Sequence, residues 1–124
     1  MQTTPQPSPF DQSVYAVIRQ IPRGRVATYA AVAGALRCRS PRAIGQALRR
    51  NPFAPEVPCH RVISSNLQLG GFQGRRDGGP AAAKRRLLAA EGVEFDAASR
   101  LLDPARVLSA GDLTAPAAAT AAVA

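Results

Sequence analysis

Proline placement restricts this chain to short helices. Ile21-Pro22-Arg23-Gly24 breaks a first apolar-periodic stretch, Asn51-Pro52 ends another, and Pro52, Pro55 and Pro58 together prevent regular helix where they stand. Ser40-Pro41 is the opposite signal, a capping residue followed by proline at the first helical position, where no N–H is needed. The spacing predicts three helices in the first half of the chain. One covers 11–20 behind Asp11 as N-cap, with Val14, Tyr15, Val17 and Ile18 inward; a second runs from Tyr29 to about Leu36 behind Thr28, with Val32, Ala33 and Leu36 on one face. The third runs from Pro41 to about Arg50 with Ile44, Ala47 and Leu48 inward, and the turn Arg37-Cys38-Arg39 precedes it.

Val26-Ala27 and Val62-Ile63 read as short strands, Phe53 to Val57 as a stiffened connector, and Ser64 to Gly74 as a turn-rich loop. Ala81 to Glu91, with Leu87 and Leu88 apolar, reads as a helix that stops at Gly92; Val93 to Leu102 reads as a short strand or irregular chain, and Asp103-Pro104 opens a last helical turn. The expected architecture is mainly α with a few short strands, a single helix-turn-helix (winged-helix-like) domain over 11–110. A proline-rich tail, 1–10, and an alanine-rich tail, 111–124, are expected to be disordered, because they bury too little to offset the entropy of ordering.

Charge narrows the partner. Sixteen basic residues, fifteen of them Arg, face eight acidic ones, and from Gln12 to Pro55 there is no acidic residue while Arg19, Arg23, Arg25, Arg37, Arg39, Arg42, Arg49 and Arg50 all fall there. Such a segment carries an unscreened positive field, suited to phosphate through the planar donor fork of Arg. The two short helices inside it read as a DNA-binding helix-turn-helix or as an ordinary helical hairpin. No apolar run approaches the ~20 residues of a spanning helix, and the first nine residues have no signal-like region, so a cytoplasmic, nucleoid-associated monomer without a membrane partner is expected. Cys38, Cys59 and His60 are one ligand short of a structural zinc site unless a carboxylate joins, so no metal is expected.

Cys59 and His60 are adjacent, behind Pro58 and ahead of Arg61. A thiol attacks as its thiolate, which an imidazole or a nearby cation stabilises. Neighbours in a regular strand point to opposite faces, so the pair cooperates only if the backbone turns or a water intervenes, and Pro58 is placed to impose that turn. Glu91 and Glu56 are the carboxylates available to orient the imidazole. The alternative is a small buried Cys beside a satisfied core His.

Pro58-Cys-His-Arg-Val-Ile63 resembles the active-site motif of the O6-alkylguanine-DNA alkyltransferases. The likeness extends from about Ile21 to Phe95: Ile21-Pro22-x-Gly24 and Thr28-Tyr29 resemble the approach to the family's helix-turn-helix, Arg42-Ala43-Ile44-Gly45 its recognition helix, and Asn51-Pro52 its hinge. Gly70-Gly71-Phe72 resembles the active-site loop, and Lys84 to Glu91-Gly92 the closing helix. The resemblance implies double-stranded DNA containing O6-alkylguanine as partner and Cys59 as alkyl acceptor. It implies that His60, with water and Glu91, deprotonates the thiol, that Asn51 braces the turn, and that Tyr29 displaces the nucleotide's phosphate and helps protonate the leaving guanine. Arg42 would fill the space of the flipped base; Thr28, Ala43, Gly45, Gln46 and Arg49 would lie against DNA, and Pro58, Val62, Phe72 and Gln73 would line the pocket. Glu91-Gly-Val-Glu-Phe95, the short chain and the Phe72 loop also resemble the alkyltransferase-like proteins, which bind alkylated guanine without transfer, flag it for other repair proteins, and typically replace the cysteine with tryptophan.

Overall fold

A computed structural model describes residues 8–51, 57–70 and 78–114. It begins with helix α1, Pro9–Ile18, capped by the Ser8 side chain, which accepts from the Asp11 N–H at 3.1 Å. This corrects the expected cap: Ser8-Pro9 carries the same cap-then-proline signal as Ser40-Pro41, so the helix starts inside the segment expected to be a tail. Asp11 is instead a buried residue of the first turn, its carboxylate gripped by Arg50.

After the Pro22 break, strand β1, Val26–Thr28, feeds directly into helix α2, Tyr29–Ala35, whose N-cap is Thr28, accepting from Ala31 N–H at 3.0 Å. Arg37 turns the chain with a positive φ of 56°, and Ser40 caps helix α3, Pro41–Arg49. α2 and α3 pack on each other and on α1, the arrangement of a helix-turn-helix. The Tyr15 hydroxyl donates to the Ala47 carbonyl at 2.7 Å and ties α1 to the last turn of α3.

A tight 3₁₀ turn, Cys59–Arg61, leads into strand β2, Val62–Ile63. Helix α4 spans Gly78–Ala90, starting earlier than expected; Leu88 is buried while Leu87 is 42% exposed. The 93–102 segment folds back through antiparallel bridges, Phe95 to Leu101 and Gln68 to Arg100, and Arg85 fixes it to α4 by donating to the Phe95 and Asp96 carbonyls. A 3₁₀ turn at Pro104–Arg106, capped by Asp103, then delivers a third strand that the sequence did not announce, β3, Val107–Leu108. The chain past 110 was expected to be tail, yet Ala110–Asp112 form a further turn and Leu113 is buried in the core.

The sheet has order β2-β1-β3, all parallel, with Ala27 opposite Val62 and Leu108. Alternation along these strands splits the core in two. Ala27 and Val62 join the cluster under α1, α2 and α3, whereas Val26 and Ile63 join Leu69, Leu88, Val93, Phe95 and Leu101 on the α4 side. The molecule is thus mainly helical, with a small parallel sheet between a helix-turn-helix half and an α4 half, and the Cys59 turn enters that sheet where the halves meet.

One core position is charged by type. Lys84 of α4 is 0% exposed, and its Nζ donates to the Val62 carbonyl at 2.7 Å. Burial pushes its pKa down from 10.5 to about 7, against a smaller upward pull from Cys59. The unfolded chain keeps this proton up to the ordinary lysine range, so it binds more protons than the native state above about pH 7, and stability rises with pH there. Unfolding free energy measured by denaturant titration is expected to climb by about 1 kcal/mol between pH 7 and pH 8. Lys84→Met should remove that climb; a wild-type profile already flat over the interval would contradict the assignment.

Candidate active site and nucleic-acid interface

The Cys59–Arg61 turn aims three consecutive side chains into different surroundings. Pro58, itself buried, holds the entry, and the 3₁₀ geometry replaces the opposite-face placement that a strand would impose on Cys59 and His60. His60 is buried and its Nε2 lies 2.9 Å from Glu91 Oε2. Arg61 closes on the same carboxylate from the other side, with Nε to Oε1 and Nη2 to Oε2 both at 2.9 Å, and its Nη1 donates to the Ile21 carbonyl at 2.8 Å. Burial pushes the Glu91 carboxyl up, but hydrogen bonds from Arg61 and His60, with the charge of Arg61, outweigh it and hold the group below the usual carboxylate range. Of the two carboxylates the sequence offered, Glu91 is therefore the one on the imidazole; Glu56 lies outside the described residues.

Cys59 is half-buried and free. Burial raises its thiol pKa; a hydrogen bond from the Asn51 side chain, the charge of Lys84, and the Cys59 and His60 N–H groups all act in the opposite direction. Asn51 also donates its Nδ2 to the Val57 carbonyl at 3.0 Å, so it bridges the two ends of the connector that carries the turn. Tyr29, the first residue of α2, is half-buried, and its ring centroid lies 5.9 Å from Lys84 Nζ. Lys84 was absent from the residues singled out for the site. Its signal in the sequence is that it is the chain's one lysine among fifteen arginines. Burial can bring a lysine into the neutral range, as it does here, whereas arginine stays protonated.

Helix α3 presents Arg42, Gln46 and Arg49 to solvent at spacings of four and three, which is one helical face, and its opposite side buries Ile44 and Ala47. Gln46, Arg49 and Arg50 line an open concavity on that surface. Ala43 and Gly45 are half-buried; a Cβ built on Gly45 would stand 4.0 Å from the Tyr29 ring, so Tyr29 and α3 are close neighbours. Thr28 is half-buried with its hydroxyl engaged as the α2 cap. Pro58 and Val62 are buried beside the thiol turn, and the Val62 carbonyl is the acceptor for Lys84. Phe72 and Gln73 lie outside the described residues. Gly70, at the start of that loop, has φ +75°, and a Cβ there would stand 2.7 Å from Ser64 Oγ, so glycine is favoured.

Comparison with known proteins shows the family. Residues 9–93 match the family described as 6-O-methylguanine DNA methyltransferase, DNA binding domain. A methylated-DNA--protein-cysteine methyltransferase of Thermococcus sibiricus is 46% identical over 88 residues, covering 70% of this chain and 46% of that protein. Among solved structures, Mycobacterium tuberculosis OGT in complex with DNA superposes with TM-score 0.62 at 36% identity, over 69% of this chain and 51% of that one. S. pombe Atl1, in complex with damaged DNA containing O6-carboxymethylguanine, superposes with TM-score 0.70 at 28% identity, over 81% of this chain and 94% of that one. The chain spans about half the length of the curated relatives it matches. With most of its described residues inside the match, the chain belongs to the 6-O-methylguanine DNA methyltransferase family, by its DNA-binding domain.

Proposed function

We propose that this protein repairs double-stranded DNA containing O6-alkylguanine by moving the alkyl group irreversibly to Cys59. The observation that carries the reading is the thiol held by Asn51 next to a His60–Glu91 pair whose carboxylate is kept ionised. In this reading Arg42, Gln46 and Arg49 face the DNA, with Thr28, Tyr29, Ala43 and Gly45 along the same contact. Arg42 fills the space left by the guanine, whose extrusion costs a few kcal/mol of stacking. The base enters beside Pro58, Val62, Phe72 and Gln73.

His60, fixed through Nε2 by Glu91, takes the thiol proton through an intervening water. The Cys59 sulfur attacks the alkyl carbon, an S–C bond forms, and the C–O6 bond breaks with its electron pair left on guanine. Tyr29 supplies a proton to the departing base. The product thioether has no carbonyl for water to attack, so each molecule acts once; the reading takes the protein as a monomer, and the transfer itself calls for no metal or cofactor. In this reading the protein works where the DNA lies, in the cytoplasm at the nucleoid.

A second reading is favoured by the Atl1 superposition, which covers nearly all of that chain. In it the protein recognises the lesion without transfer and passes it to other repair proteins. The two readings part on mass. Intact-mass measurement after incubation with a duplex holding one O6-methylguanine should show a single added methyl, absent in Cys59→Ser. Tight lesion binding with unchanged mass would overturn the transfer reading and favour the second.

The interface has its own tests. Arg42→Ala should weaken binding to the lesion duplex by about tenfold or more, because a wedge acts at the extruded base. Arg100→Ala, a remote exposed charge, should have a smaller effect; equal losses would discredit the wedge. Affinity should fall steeply as salt rises, through counterion release, and a flat response would contradict the basic face.

A further inference from the structure

Two buried groups of α1 have no place in the chemistry above, and both reach the last turn of α3. Asp11 is 4% exposed, and its carboxylate takes Arg50 Nε at 3.0 Å and Nη2 at 2.8 Å, a two-point fork. One helical turn further on, Tyr15 donates to the Ala47 carbonyl, which also accepts the Arg50 N–H at 3.2 Å. The backbone beyond Arg50 is then held by the Asn51 N–H to the Leu48 carbonyl at 3.1 Å. Asn51 thus leaves a helix end that α1 clamps at two points.

We propose that the Asp11–Arg50 ion pair is a positioning device for the reactive thiol, fixing the end of α3 so that the Asn51 side chain stays on Cys59 and on the Val57 carbonyl. The argument is one of leverage. Arg50 is 54% exposed at its side chain and on its own would sample many rotamers, whereas the buried carboxylate fixes it in one. Arg50 is bonded directly to Asn51, so the position of one limits the other. The charged or titratable side chains that act on the thiol are Lys84 from α4 and Tyr15 from α1, and His60 contributes its backbone N–H; Asn51 is the neutral one that donates a side-chain hydrogen bond to it. The inference rests on the proposed use of Cys59 only for its consequence, since the clamp is defined without DNA.

Reaction of the full chain with iodoacetamide across pH tests it, with adducts located by peptide mass so that Cys38 is followed separately. Asp11→Asn is expected to move the Cys59 midpoint upward and to slow its alkylation at neutral pH by about threefold or more, with Cys38 unchanged. Simple electrostatics requires the opposite sign, because removing an anion favours a thiolate. A downward shift, or none, would overturn the proposal.

Arg50→Ala provides a second arm should Asp11→Asn not fold. It should slow Cys59 in the wild-type background and have no added effect when Asn51→Ala is present; additive effects would overturn the proposal. Iodoacetamide needs no alkylated DNA, so a negative result here leaves transfer to Cys59 standing, and absence of transfer leaves this result readable.

Discussion

The Glu91 carboxylate is the point on which the arrangement depends. It follows the last residue of α4, and both of its oxygens are spent on the Cys59–Arg61 turn, accepting from Arg61 at two points and meeting His60 at a third. Arg61 carries the connection on to the Ile21 carbonyl, at the break between α1 and β1. One ionised group therefore joins the α4 half, the thiol turn and the helix-turn-helix half. Removing one partner of such a buried set costs several kcal/mol, because a desolvated charge is left uncompensated.

At the thiol two physical effects compete. Burial disfavours the thiolate, while the Asn51 hydrogen bond, Lys84 and two backbone N–H groups favour it. Lys84 is poised for this, since burial brings its own pKa to about 7 and leaves it responsive to the charge of Cys59. The same sheet that separates the two halves of the core brings these groups together: Val62 faces the helix-turn-helix side while its carbonyl holds Lys84 of the other side. The clamp from Asp11 and Tyr15 acts on the end of α3, from which Asn51 reaches the thiol.

Much of the fold was legible because it was written in local signals. Thr28 and Ser40 are caps as expected, and Val26-Ala27 and Val62-Ile63 are strands. Ser8-Pro9 carried the same signal and was passed over in favour of Asp11, whose real role depends on Arg50, thirty-nine residues away. Strand β3 and the burial of Leu113 were not legible, since short segments become strand or core only when β1 and α2 offer an edge and a surface to cover. In the site, Cys59, His60 and Glu91 were named from residue type and motif, and the geometry brings His60 and Glu91 into contact, with Cys59 in the same turn as His60. Lys84 was missed because periodicity counts lysine as solvent-facing, and only its uniqueness among arginines pointed elsewhere.

The central claim is that Glu91 organises a transferring thiol, and single-turnover kinetics on an O6-methylguanine duplex tests it most directly. With protein in excess and binding saturated, Glu91→Gln should slow methyl transfer by about a hundredfold or more, the scale of losing an oriented general base, while lesion affinity changes little. An unchanged transfer rate would contradict the account.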